Sequence, residues 1–346
     1  MFFLLQLKLK AGITMNKKKI NKRSEEIAVE MMLELGLAHY QGDGIEENHE
    51  EAFKWWMEAA KRGHAKGQFY VAMCYDNGVG TETNMDEAFK YYQLSAEQGV
   101  EEAQYSLAEC YGEGKGTEID EQKAFEWYRK AAEQGYDDAQ FSLAVCYERG
   151  KGTDVDLKEA FKWYQLAAEQ DHAFSQFNLG LCYEKGWGTP IDLEKAFKWY
   201  LSSAELGDVY AQNNVAICYK HGKGTEISFE KAFNWYKKAA EGGDIYAPHN
   251  LAVCYELGEG TSVDLKEALE WYKFSAEQLN HPQSQYRLGL LYEEGRGISK
   301  DVKEACKWYQ LAAKQGYVEA QKRIEAIEKP ASSKSKGFFG NIFKKK

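Results

Sequence analysis

Seven cysteines, seven histidines and many carboxylates are the residues of this chain that could do chemistry, and their spacing limits what that chemistry can be. Six of the cysteines, Cys74, Cys110, Cys146, Cys182, Cys218 and Cys254, stand 36 residues apart. Such a ladder invites a metal or disulfide reading. Equivalent positions in stacked units lie at least a helix packing distance apart, roughly 8–10 Å, whereas a disulfide needs its Cα atoms within about 7 Å. That separation is also too great for one tetrahedral ion. The column is therefore expected to be small buried thiols in a reducing compartment, with Cys306 in the core as well. The histidines (His39, His49, His64, His172, His221, His249, His281) fall at unrelated positions and form neither an HExxH pair nor a zinc-spaced cluster. Paired glycines such as Gly114 and Gly116 do not make a phosphate loop, because no strand precedes them and no Lys-Ser or Lys-Thr follows in frame. Neither GxSxG nor a dinucleotide signature occurs. Asp and Glu read as solvated charge on helix faces. The sequence thus predicts no enzyme, no metal and no cofactor.

What positions these residues is a repeat. Ala103–Asp138 reappears 36 residues later as Ala139–Phe174 and 36 earlier as Gly67–Glu102. Eight copies can be counted, at 31–66, 67–102, 103–138, 139–174, 175–210, 211–246, 247–283 and 284–319, the seventh one residue longer. A period of this size means a solenoid of stacked supersecondary units. Each unit reads as two helices, about 103–113 and 121–134 in the third copy. The turn between them carries a glycine pair in every copy. The second helix is expected to be capped by Asn48, Asn84, Asp120, Asp156, Asp192, Ser228, Asp264 and Asp301, five of them with Glu three residues on in the manner of a capping box. It ends at a glycine except at Asp171 and at Leu279–Asn280. A helix is expected to start with Ser24 as its cap, and Ala320–Glu328 looks like a closing cap. The resulting division is a basic, disordered N-terminus at 1–23 (with Met15 as an alternative start), a solenoid at 24–328 and a flexible basic tail at 329–346.

A helical wheel places Ala124, Phe125, Trp127, Tyr128, Ala131 and Ala132 of the third copy within roughly a 160° arc, wide enough to touch two neighbours. On the first helix, three columns face away from the core, and there the copies disagree. One holds Asn178, Asn214, Asn250 and then Arg287. The next holds Leu181, Ile217 and Val253. The third holds Arg149, Lys185 and His221. An apolar line flanked by amides is what a peptide groove would look like. The same line could instead pack on the next repeat, with each Asn bonding a neighbouring backbone.

The formal net charge is −10. Seven Lys/Arg against three Glu in residues 1–30, and six Lys with no acid in 329–346, leave −20 on the stretch between. A body so acidic argues against nucleic-acid binding and for a neutral or basic partner. No segment approaches the ~20 apolar residues of a membrane span. Phe338, Phe339, Ile342 and Phe343, followed by Lys344–Lys346, would support weak membrane-surface contact through 338–346 or docking to a partner.

The assembled pattern resembles the Sel-one-like repeat family, relatives of tetratricopeptide repeats. Leu179-Gly180-Leu181-Cys182-Tyr183 and Lys195-Ala196-Phe197-Lys198-Trp199-Tyr200 carry the likeness, which covers residues 31–328. Repeat 1 departs by placing His39 in the Tyr column. The resemblance implies an all-α, right-handed α/α superhelical solenoid that acts as a cytoplasmic, non-enzymatic scaffold or adaptor for a protein partner, with a secreted, host-interacting regulator as an alternative. A cysteine-rich subgroup with two bridged cysteines per repeat is linked to penicillin binding. One cysteine per repeat departs from that subgroup, so β-lactam or cell-wall activity stands only as an alternative.

Overall fold

The computed structural model describes residues 22–328; the expectations for Met15, for the rest of 1–21 and for the tail with its 338–346 patch lie outside the described residues. These form seventeen helices and no strand. The first helix of each pair is α1 (Lys22–Gln41), α3 (Ala65–Asn77), α5 (Glu101–Glu113), α7 (Asp137–Arg149), α9 (Ala173–Lys185), α11 (Val209–His221), α13 (Ala247–Leu257) and α15 (Pro282–Glu294). The second is α2 (His49–Lys61), α4 (Met85–Ala96), α6 (Glu121–Glu133), α8 (Leu157–Ala168), α10 (Leu193–Glu205), α12 (Phe229–Glu241), α14 (Leu265–Glu277) and α16 (Val302–Lys314), with α17 (Val318–Glu328) closing the series. From α1 to α8, and again from α10 to α17, each helix packs on the next. The chain divides into two compact units, the first running to Ser175 and including Trp187–Thr189, the second made of Gln176–Gly186 and everything from Pro190. No helix among the described residues is long and apolar enough to cross a membrane.

Local chemistry dictates these boundaries. Every expected cap on a second helix accepts a backbone N–H of the first turn, as Asn48 does from Glu51 at 3.1 Å and Asp192 from Lys195 at 3.0 Å. The other half of the capping box is not made. The backbone N–H of each cap goes back to the preceding first helix instead, Asp120 to the Tyr111 carbonyl at 2.8 Å and Asp264 to that of Tyr255 at 2.9 Å. The Glu three residues on is left to pair with a lysine of the next turn, as in Glu51–Lys54, Glu87–Lys90, Glu159–Lys162 and Glu304–Lys307. Two further boundaries move. First helices begin two residues before the repeat frame read from the sequence, at Glu101 rather than Ala103, except α13, which begins on the frame at Ala247; α1 begins at Lys22, so Ser24 lies inside it rather than capping it.

Burial follows the wheel, with a division of labour inside the Trp-Tyr pair. The second-position ring, Tyr92, Tyr164, Tyr200, Tyr236, Tyr272 or Tyr309, is almost wholly buried. The residue before it, tryptophan in all of these except Tyr91, is half-buried, and Trp127 packs on the cluster of Ala88, Tyr92 and Leu107 and Trp271 on that of Ala232, Tyr236 and Leu251. Adjacent repeats also meet edge to face. Phe53 against Tyr75, Phe89 against Tyr111, Phe197 against Tyr219 and Phe233 against Tyr255 have centroids 5.2–5.4 Å apart at 79–90°. Each such pair is worth about 0.5–1.5 kcal/mol beyond its buried area. A glutamine ladder runs alongside, with Gln98 donating to Gln68, Gln134 to Gln104 and Gln170 to Gln140 at 2.6–2.9 Å.

The six in-register cysteines are buried and all seven are free, Cys306 being half-buried where a core position was expected. Burial pushes the Cys74 and Cys218 thiols up to about 12 and that of Cys254 to about 11. These are inert core side chains, since the reactive form is the thiolate.

The second glycine of each pair is where repeats touch most closely. Gly80 has φ +69°, and a Cβ there would fall on the His49 carbonyl of the preceding repeat. Gly44, at φ +71°, occupies the same place in the first repeat and has nothing within 4 Å. The two positions share a backbone conformation and differ in the contact. Gly44→Ala should cost about 1–2 kcal/mol for the left-handed backbone; Gly80→Ala should cost a further 1–3 kcal/mol for the overlap. Urea unfolding of the two variants measures the difference, and equal midpoints would remove the close approach as a constraint.

Candidate functional site

The outward columns of the first helices are where a partner was expected, and nine of the ten named residues lie in the second unit, with Arg149 in the first. Leu181, Ile217 and Val253 are half-buried, each lying against the core of its neighbourhood: Leu181 beside Tyr200 and Val215, Ile217 beside Tyr236 and Leu251, Val253 beside Tyr272 and Leu288. They join the repeats and keep one side open. Among the amides, Asn250 Nδ2 donates to Asn213 Oδ1 at 3.0 Å, and Asn214 bonds the Tyr200 hydroxyl. Asn178 is half-buried and also engaged. Lys185 and His221 are exposed at the C-terminal ends of α9 and α11, and Arg149 is exposed at the end of α7. Arg287 is 41% exposed and 3.9 Å from Glu256.

Behind these columns lies a row of polar contacts that the sequence reading took for solvated charge. The residue after the first-helix tyrosine is Asp76, Gly112, Glu148, Glu184, Lys220, Glu256 or Glu293. Where it is acidic, its carboxylate accepts the proton of the buried second-helix tyrosine: Tyr92 to Asp76 at 3.1 Å, Tyr164 to Glu148 at 2.6 Å, Tyr200 to Glu184 at 2.8 Å, Tyr272 to Glu256 at 2.8 Å and Tyr309 to Glu293 at 2.7 Å. At two of these five, Glu184 and Glu256, a cation from the next repeat's glycine pair then reaches back over the carboxylate. Lys223 Nζ stands 3.0 Å from Glu184, and Arg296 Nη1 2.9 Å from Glu256. One repeat inverts the signs, Lys220 meeting Glu259 at 2.7 Å. Burial opposes the charge on Glu184, but the bonds from Lys223 and Tyr200 outweigh it and hold its carboxyl below the usual range. The recurring Cys-Tyr-Glu at 36-residue spacing was the available signal, together with its breaks at Gly112 and Lys220.

A second cluster has catalytic residue types but not catalytic access. Ser284 on α15 donates to Ser275 on α14 at 2.8 Å and lies 2.8 Å from His249 Nδ1 on α13 and 3.1 Å from His281 Nδ1. A serine beside an imidazole is the pairing of nucleophilic catalysis. Here the serine is fully buried and its proton is committed to another hydroxyl, so the group is a polar clamp between repeats. Among the described residues no group of three His, Cys, Asp or Glu could hold a metal ion.

Paired helices recurring along the chain, interlocked through recurring aromatic and glycine contacts, define an α/α repeat protein. The Sel1 repeat model matches residues 29–64, 65–100, 101–136, 137–172, 173–208, 209–244, 245–278 and 282–317, so the chain belongs to the Sel1 repeat family. Its frame sits two residues ahead of the one read from the sequence, in step with the observed helix starts. Two crystal structures are similar. A protective antigen of uropathogenic Escherichia coli displaying an SLR fold is 32% identical with a TM-score of 0.82, over 89% of this chain and 67% of that one. A Sel1 repeat protein from Oxalobacter formigenes is 32% identical with a TM-score of 0.63, over 71% of this chain and 96% of that one. No curated protein matched. Proteins of this family are generally protein–protein interaction scaffolds.

The buried histidines make a stability prediction. Burial, reinforced by His281, Arg287 and Lys220, pushes His249 down to about 3, and burial also lowers His281. Both are neutral in the fold, whereas in the unfolded chain they protonate near the usual value of about 6.5. Stability is therefore full above that value and is lost as pH falls from there toward the folded value, by on the order of 1 kcal/mol per pH unit for His249. Denaturant titrations from pH 7 to pH 4 should show this slope, and His249→Asn should flatten it. An unchanged slope in the variant would assign the acid sensitivity elsewhere.

Proposed function

We propose that the chain is a non-enzymatic scaffold that holds a protein partner along the first-helix face of its second unit, at Asn178, Asn214, Asn250, Arg287, Leu181, Ile217, Val253, Lys185 and His221; Arg149 holds the corresponding column position in the first unit. The observation that carries this reading is a contrast within the repeat. Positions that build the stack recur with little change, and the first-helix columns change from copy to copy while staying at least partly accessible. A surface that varies while the stack does not, lined by half-buried apolar groups, amides and exposed cations, has the composition of a recognition face. Its cations also stand out on an acidic body, where a local basic row attracts acidic groups of a partner.

Capture from the source cell with tagged wild-type chain, compared with a Lys185→Glu/His221→Glu variant and with Asn178→Ala/Asn214→Ala/Asn250→Ala, tests the face. Retention of the wild-type partner should fall about tenfold or more in the charge variant. Its thermal midpoint should stay unchanged, because both side chains are exposed. The amide variant should lose affinity together with some stability, because Asn214 and Asn250 bond within the fold. Undiminished capture by both variants would move the partner to another face.

A further inference from the structure

The tyrosine–carboxylate–cation row breaks in the third repeat, and a cavity opens at the break. Gly112 stands where neighbouring repeats carry Asp76 and Glu148, so the carboxylate that accepts the tyrosine hydroxyl elsewhere is missing, and Glu109 and Glu113 of α5 act on Tyr128 through space without a side-chain hydrogen bond. A cavity of about 210 Å³ lies there, lined by Gly112, Ala124, Tyr128, Phe141, Val145 and Lys151 among others. Tyr128 is only half-buried, unlike its counterparts, and its hydroxyl makes no side-chain hydrogen bond among the described residues. The serine that in register would serve it, Ser142, is engaged by Tyr105 instead. Glu109 on the same helix face is likewise turned to the Tyr105 hydroxyl at 3.2 Å. Lys151 is the glycine-pair cation that would reach back over this position, as Lys223 does over Glu184. It is exposed and forms no ion pair among the described residues.

We propose that this cavity is a carboxylate-recognition site, in which an acidic group of the docked protein partner takes the place that Glu184 fills in its own repeat, accepting from Tyr128 Oη and facing Lys151 Nζ. The partner's identity as a protein rests on the scaffold reading above. The site itself rests on the geometry of the other repeats. In two of them a tyrosine and a glycine-pair cation bracket a carboxylate, Glu184 at 2.8 and 3.0 Å and Glu256 at 2.8 and 2.9 Å. The inverted pair, Lys220 with Glu259, shows that the two positions answer each other in charge. The walls suit such a ligand. Phe141, Val145 and Ala124 would hold the methylenes of an acidic side chain, while the polar pair holds its end. Two acids line the cavity as well, and they set its selectivity. Glu113 is already neutralised by Lys115 at 2.7 Å. Glu121 faces the cavity, forms no ion pair among the described residues and would repel an anion that did not seat between the tyrosine and the lysine. Val145 and Ser142 belong to the variable first-helix columns, so the cavity opens on the first-helix face of the first unit.

The test uses the full chain with ring-labelled tyrosine and three probes at matched ionic strength: propionate, propionamide and propylammonium. Propionate alone should shift the Tyr128 resonance, identified by its loss in Tyr128→Phe, and should saturate in the millimolar range. Lys151→Met should weaken that response about tenfold, the loss of one charge-assisted bond. Gly112→Glu should supply the carboxylate from within, so its Tyr128 resonance should be shifted beforehand and should not respond to propionate. An equal response to propionamide, a response to propylammonium in place of propionate, or a Gly112→Glu chain that titrates like wild type would each overturn the site. If Gly112→Glu does not fold, the Lys151→Met titration decides alone. These probes need no partner. A propionate response in a chain that captures nothing would sink the scaffold reading and leave the carboxylate site standing.

Discussion

The contact on which the stack depends is backbone against backbone. At Gly80, Gly116 and Gly152 in the first unit, and at Gly224 and Gly260 in the second, a Cβ would fall on a carbonyl at the start of the preceding second helix. That approach sets how far apart consecutive repeats can sit, and every longer-range contact is built to that distance. The edge-to-face pairs of Phe with the next repeat's Tyr span it, as do the glutamine ladder and the cations reaching back over Glu184 and Glu256. A wider spacing would leave all of these too long at once. Glycine is needed because positive φ and the absence of Cβ are required at the same residue.

Given that spacing, the buried tyrosines are a problem with one recurring answer. A hydroxyl buried without a partner costs roughly 1–3 kcal/mol. The carboxylate one residue beyond the first-helix tyrosine supplies the acceptor, and it brings a charge into a partly buried place. The cation from the next glycine pair then offsets the charge. Three side chains from two repeats thus satisfy each other, and the repeats are coupled through that triangle. The chain holds the pattern loosely. It replaces the cation with Trp187, inverts the charges at Lys220 and Glu259, and omits the acid at Gly112.

Much of this was legible in the sequence because it is periodic. The glycine pairs, the eight caps and the wide apolar arc each follow from local physics, and each recurs often enough to stand out. Asp171 and Asn280 show the same logic: where the closing glycine is missing, these two side chains adopt φ of +62° and +52°, the left-handed backbone that Asp and Asn tolerate best. The capping box failed for a non-local reason. The N–H it would have used closes the turn onto the previous helix, and no local motif records that competition. The carboxylate row was missed because a glutamate bonded to a buried tyrosine and one in water are the same letter. Only its place beside the recurring Tyr distinguishes Glu184 from the solvated acids around it. The division into two units left no trace in a repeat that runs through it unchanged.

Repetition also determines where specificity can arise. A stack of identical units presents the same surface at every step, so it can grip a partner but cannot fix its register. Register needs a position that differs. Along the first-helix face the changes from Ser142 to Asn178 and from Val145 to Leu181 are graded, and a sliding partner would feel them only weakly. Gly112 is of another kind, because removing a whole side chain from an otherwise complete triangle leaves two donors and a cavity at one point of the chain. Packing alone gives no reason to delete a carboxylate that elsewhere satisfies a buried hydroxyl. The loss costs the fold a hydrogen bond at Tyr128, and the exchange is sensible if the missing acceptor arrives on another molecule. A scaffold with one such position would be registered at that repeat.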